Sequence, residues 1–196
     1  MSELSRDEAW LLVTEYIQSE SLRRHCLSVE TAMRAYAAKN GESVEDWGAV
    51  GLIHDFDYEI HPTLDQHPQD GAPILKERGY PDWAIDAVLS HADHLEIPRD
   101  TEMKKTLYAV DELTGFISAV AFVRPSKSVA EVTPQAVRKK MKDKAFARAV
   151  DREAMLHGAE LLGLDFDEHV AFVIQAMTDN AETLGLAGVP VGSDAQ

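Results

Sequence analysis

Residues 51–58 read Gly51-Leu52-Ile53-His54-Asp55-Phe56-Asp57-Tyr58. An apolar run of this kind is the end of a buried helix, and it leads straight into a histidine and an aspartate side by side. A carboxylate carried inward alone costs several kcal/mol, on the order of the penalty for any desolvated ion. It needs a cation, strong hydrogen bonds or a proton. The same demand recurs on either side. Asp111 lies inside the apolar-periodic stretch Thr106 to Val123, and His25, His67 and His91 each fall at or near the inward side or the end of a helical segment.

Those segments follow from periodicity and punctuation. Ser5-Arg6-Asp7-Glu8 has the form of a capping box before Trp10, Val13 and Ile17. From Ser21 to Lys39 the residues Leu22, Cys26, Val29, Met33 and Tyr36 recur at helical spacing, and Asn40-Gly41 supplies the stop. Ser43 caps a third helix reaching His54, and a loop from His61 to His67 follows. Further helices are expected over Pro68 to Arg78, Pro81 to His91 and Thr101 to Val123. Arg124-Pro125 breaks the pattern, and Thr133-Pro134 opens a short basic helix with Arg138, Lys139, Lys140, Lys142 and Lys144. Two more helices run over Ala145 to Leu162 and Phe166 to Thr183. No period-2 strand of useful length occurs, so the fold class is all-α, a bundle of about eight helices. One domain is expected over 1–184, with a signature core at 22–116 and C-terminal helices at 134–183, and 185–196 reads as a flexible tail.

Composition narrows the function. The chain has 196 residues, 45% of them hydrophobic, and a formal net charge of −15. That charge argues against a nucleic-acid polymer as partner, because such binding draws on many Lys and Arg. A small anion needs a local positive device such as a metal. Cys26 is the only cysteine, which excludes an internal disulfide and a multi-cysteine metal site. The longest strongly apolar run, Phe116 to Val123, is far below the roughly 20 residues of a membrane span, and the acidic N-terminal residues do not form a signal peptide. A cytoplasmic protein is expected. Oligomeric state is open. Imidazole and carboxylate together suit zinc, iron or manganese, so a metal is the economical partner for His54-Asp55.

His25, then His54-Asp55, then Asp111 on a later helix resembles the H…HD…D signature of the HD-domain metal-dependent phosphohydrolase superfamily, a helical fold. The resemblance runs from about Leu22 to Phe116. His67-Pro68-Gln69-Asp70-Gly71-Ala72 and the later His91 are similar to the extra histidines of two-metal members, including the bacterial diadenosine tetraphosphate hydrolase branch. Gly79-Tyr80-Pro81 resembles an element of the cyclic-di-GMP phosphodiesterase branch, but the HHE and DG residues that precede it there are absent, and it reads as a helix stop and start. The resemblance implies His25, His54, Asp55 and Asp111 as ligands of one divalent transition metal, and His67 and His91 as ligands of a second. Iron or manganese comes first, then zinc, nickel or cobalt. It implies hydrolysis of a nucleotide or another small phosphorylated metabolite. A related branch uses a similar site with two irons to activate oxygen, and a non-catalytic nucleotide sensor is a third reading.

Supporting roles are expected around this set. Asp55 holds the metal and His94, three residues after His91, protonates the leaving oxygen. Lys127 folds back over the pocket and, with Arg124, stabilises phosphate charge, and Arg23 and Arg24 beside His25 compete for the same task. Asp57 and Glu59 either orient ligands or are solvated. The basic helix reads equally as a solvated face. His61, His157 and His169 are expected at the surface or at caps.

Overall fold

The computed structural model describes residues 3–189. Among these are nine α-helices, two 3-10 turns and no strand. The helices are α1 (Arg6–Tyr16), α2 (Glu20–Asn40), α3 (Val44–Ile53), α4 (Ala72–Glu77), α5 (Asp82–Leu89), α6 (Glu102–Phe122), α7 (Pro134–Met141), α8 (Arg152–Leu161) and α9 (Phe166–Asp179). The 3-10 turns are Asp93–Leu95 and Val129–Glu131. The expected all-α bundle is present, and each of the nine helical segments set out from the sequence has a counterpart. No helix among the described residues is long and apolar enough to cross a membrane.

The cap residues act as their types require. The side chains of Ser5, Ser19, Ser43, Thr101 and Thr133 each accept a backbone N–H from the first turn of the helix they precede. Gly41 closes α2 in the left-handed conformation, φ 74°. The two 21-residue helices, α2 and α6, form the spine. α3 and α6 pack on α2, and α8 packs on the far side of α6. Their shared core includes Cys26, Val29, Met33, Leu52, Ile53 and Leu113, all fully buried. Close approach of α3 to α2 needs Gly51, because a Cβ there would stand 2.8 Å from Met33 Cγ and 3.1 Å from the Val29 carbonyl oxygen. That approach carries the end of α3 down to the level of His25.

Three expectations on element limits are corrected. The fourth helix is only Ala72–Glu77, because the residues before it turn so that His67 meets Asp57. The eighth begins at Arg152, not Ala145. There the Arg152 guanidinium donates to the carbonyls of Asp143, Phe146, Ala147 and Val150, and these acceptors hold the segment in turns. The expected tail begins too early. Leu186 is fully buried, its carbonyl accepts Val129 N–H at 2.9 Å, and Val189 N–H donates to Ser126 at 2.7 Å, so 185–189 is docked on the stretch after α6. The rest of that expected tail, 190–196, lies outside the described residues.

Candidate metal centre

Six side chains from five separate places in the chain converge at one point. His25 comes from the first turns of α2, His54 and Asp55 from the end of α3, His67 from the turns before α4, His91 from just past α5, and Asp111 from the middle of α6. The four imidazoles all present Nε2 to the centre. His25 Nε2 lies 3.0 Å from Asp111 Oδ1 and 3.2 Å from His54 Nε2, and both histidines lie 3.5 Å from Asp55 Oδ2. On the other side, Asp55 Oδ1 lies 3.2 Å from His67 Nε2 and 3.5 Å from His91 Nε2, and these two nitrogens are 3.2 Å apart. The two oxygens of Asp55 therefore face two different ligand sets, and two groups that could each hold an ion share that residue.

The spacing fits a metal. Donors bound at about 2.1 Å to one ion lie roughly 3.0 Å apart in an octahedron and roughly 3.4 Å apart in a tetrahedron. The donor separations quoted above span 3.0 to 3.5 Å. Two imidazole Nε2 atoms facing each other at 3.2 Å need a proton or a cation between them, since two bare lone pairs would repel.

The outer nitrogens fix that orientation. His54 Nδ1–H donates to the Gly51 carbonyl at 2.8 Å and His91 Nδ1–H to the Val88 carbonyl at 2.5 Å, both from one helical turn upstream. His67 Nδ1–H donates to Asp57 Oδ1 at 2.9 Å. With Nδ1 protonated, Nε2 keeps a lone pair for an ion. Asp57 is fully buried, and its second oxygen faces His61 Nδ1 at 3.3 Å. Of the two readings offered by the sequence for Asp57, orienting a ligand is the one its position matches. Glu59 instead accepts the N–H groups of Gln18 and Ser19 beyond α1. Gly71 makes the Asp57 contact possible, because a Cβ there would stand 2.6 Å from Asp57 Cγ. This close approach is the physical content of the short HxxxGA pattern at His67.

Electrostatics in the cage point the same way. Burial opposes ionisation of Asp55 and Asp111, yet the facing histidines hold both carboxyls below their ordinary range. Burial likewise opposes a charged His67, but its contacts with Asp55 and Asp57 push it up to about 9, and His54 and His91 are raised in the same sense. The cage thus demands positive charge at its centre, which protons or a cation can supply. Cys26 adds no donor: burial, then the nearby charges of Asp55 and Asp111, push its thiol well up.

The cage is the floor of a cleft of about 510 Å³. His25, Asp55, His67, His91 and Asp111 reach its surface, and His94 stands on the rim with Nε2 3.3 Å from Gln69 Oε1. Glu112, beside Asp111, also lines the cleft, and burial followed by the Asp111 charge pushes it up to about 7. The expected phosphate-gripping residues are not brought to this place. Arg124 lies beyond the end of α6, roughly 16 Å along the helix from Asp111 to Phe122, and pairs with Glu131 at 3.5 Å. Lys127 is exposed in the turn that follows. Arg24 lies over the Phe122 ring at 5.2 Å, and Arg23 donates to the Ile17 and Thr14 carbonyls, closing α1. Successive helical residues point about 100° apart, so neighbours of His25 do not share its direction.

His169 departs from its expected surface position. It is fully buried, donates Nε2–H to the Ala109 carbonyl at 3.0 Å and accepts from Tyr36 Oη at 2.7 Å. Its place on the apolar stripe of α9, between Phe166 and Val173, was the available signal. Sequence reasoning also missed the stretch 149–154, which closes the cleft from beyond the signature core.

Residues 22–115 match the model of the HD domain family. Comparison with curated proteins and with solved structures found no match.

Proposed function

We propose that this HD-domain chain is a metal-dependent phosphohydrolase that cleaves a phosphate ester or anhydride of a small phosphorylated metabolite such as a nucleotide. The observation that carries the reading is Asp55, whose two carboxylate oxygens face two ligand sets at the floor of an open cleft. His25, His54, Asp111 and Asp55 would hold one divalent ion, and His67, His91 and Asp55 a second. Bound there, such a pair supplies Lewis acidity to phosphoryl oxygens and lowers the pKa of water.

The chain's own groups do the rest. The Nδ1–H donations from His54, His67 and His91 fix the rings with Nε2 turned inward as the atom that would meet an ion. The cleft opens to solvent, and His94, which lines it, would give a proton to the leaving oxygen. The mixed imidazole and carboxylate donors admit iron or manganese first, then zinc, nickel or cobalt, since availability in the cell decides much of the choice. The net charge of −15 disfavours a nucleic-acid polymer as substrate.

The test is metal content by elemental mass spectrometry beside phosphate release from a panel of esters. Wild type is expected to hold about two ions per chain, His91→Ala to lose one, and Asp55→Ala to lose both together with turnover. An Asp55→Ala protein that keeps its metal and its activity would sink the assignment. A second reading, a di-iron oxygenase, is favoured by four imidazoles among six donors and by a cleft lined by no Lys or Arg among the described residues. Substrate-dependent oxygen uptake by the iron-loaded protein, without phosphate release, would select it.

A further inference from the structure

The cage supplies positive charge only at the cleft floor, and the walls above it are of the opposite kind. Tyr58, Leu64, Tyr108 and Val150 line the apolar side, and Asp93, Glu112 and Asp151 are carboxylates outside the cage. No lysine or arginine lines the cleft among the described residues. Two arginines that touch or adjoin lining residues are committed to protein acceptors. Arg99 stacks on the Tyr108 ring at 3.6 Å and donates to the Ser90 and His91 carbonyls and to Asp93. Arg152 donates to the carbonyls of Ala147 and Val150.

Charge balance then limits the ligand. Two divalent ions held by Asp55, Asp111 and neutral imidazoles carry an excess of about two positive charges, which one phosphate monoester dianion offsets. A second anionic group on the same ligand must extend up the walls, where it meets carboxylates and apolar surface and no cation. From this we infer that the cleft selects a phosphate monoester whose other end is uncharged or cationic, and discriminates against any ligand with a second anionic group, polyphosphates included. The inference rests on the phosphohydrolase reading and narrows it. Asp93 contributes least to the repulsion, since Arg99 pairs with it at 2.7 Å. Asp151 is the principal discriminating residue, with Glu112 beside it on the same wall. At separations of several Å in a partly hydrated cleft their repulsion of an added anion is worth about tenfold in affinity.

The experiment measures binding, not turnover. The manganese-loaded protein is titrated calorimetrically with three non-hydrolysable ligands: phenylphosphonate, 4-carboxyphenylphosphonate and 4-(aminomethyl)phenylphosphonate. The carboxylate-bearing ligand is expected to bind about tenfold more weakly than phenylphosphonate, and the amine-bearing one at least as tightly. In a Glu112→Gln/Asp151→Asn variant the gap should shrink to about threefold or less, with the α8 cap retained because asparagine also caps. Equal or tighter binding of the carboxylate-bearing ligand by wild type overturns the inference while leaving the phosphohydrolase reading intact. Failure of all three to bind overturns both. The wild-type comparison decides alone, whether or not the variant folds.

Discussion

Asp57→Asn tests the link between a buried carboxylate and the second ligand set. Asp57 Oδ1 lies 2.9 Å from His67 Nδ1 and Oδ2 3.3 Å from His61 Nδ1, so two imidazole N–H groups face two acceptors. Asparagine keeps the shape but has one acceptor only. If its oxygen faces His67, the bond loses the assistance of the charge. If its amide nitrogen does, His67 must move its proton to Nε2 and close the lone pair that points into the cage. A hydrogen bond to a charged group is worth about 1.5–3 kcal/mol. Loss of such an orienting contact weakens metal affinity by about 10- to 100-fold, or roughly 1.4–2.7 kcal/mol. The assay is competition for manganese or zinc against a chromophoric chelator, in which wild type is expected to show two binding steps. Asp57→Asn should weaken the step that His91→Ala abolishes and leave the other within about twofold. Equal weakening of both steps, or of neither, would refute the reasoning.

Two further outcomes follow from the same geometry. Gly71→Ala places a Cβ 2.6 Å from Asp57 Cγ and 2.7 Å from Oδ2, and Asp57 cannot retreat without releasing His67. Overpacking of this kind costs about 1–3 kcal/mol, whereas the lower backbone freedom of alanine acts in the opposite direction, so an unchanged or higher denaturation midpoint would contradict the predicted clash. His169 has its pKa lowered by burial, since its neutral form donates to Ala109 and accepts from Tyr36 and protonation would oppose the second bond. A depressed folded pKa means that this contribution is present above the unfolded value of about 6.5 and is lost as pH falls below it. The loss of stability of chelator-treated protein between about pH 7 and about pH 5 should therefore be steeper in wild type than in His169→Phe, and parallel curves would show that His169 does not titrate on unfolding.

Much of this architecture was legible in the linear chain because the information is local. Helix positions follow from apolar spacing and from caps such as Ser5, Ser43 and Gly41, each acting within one turn. His54-Asp55 after an apolar run declares a buried charge, and the need to neutralise it leads to His25, Asp111, His67 and His91. Element limits were less legible where a contact from elsewhere intervenes. α8 starts late because Arg152 gathers the carbonyls of the preceding turns, and α4 is short because the turns before it bring His67 to Asp57.

The sequence by itself determined the all-α class, the inventory of donors and their demand for a cation, since these depend on residue type and short spacing. Tertiary structure alone decided which oxygen of Asp55 faces which histidines, that Asp57 orients His67, and that residues 149–154 close the cleft. It also decided that the conspicuous cations Arg124, Lys127 and Arg24 lie elsewhere. Side-chain direction changes by about 100° per helical residue, and position by about 1.5 Å. Proximity in sequence to a site residue therefore says little about access to its cleft.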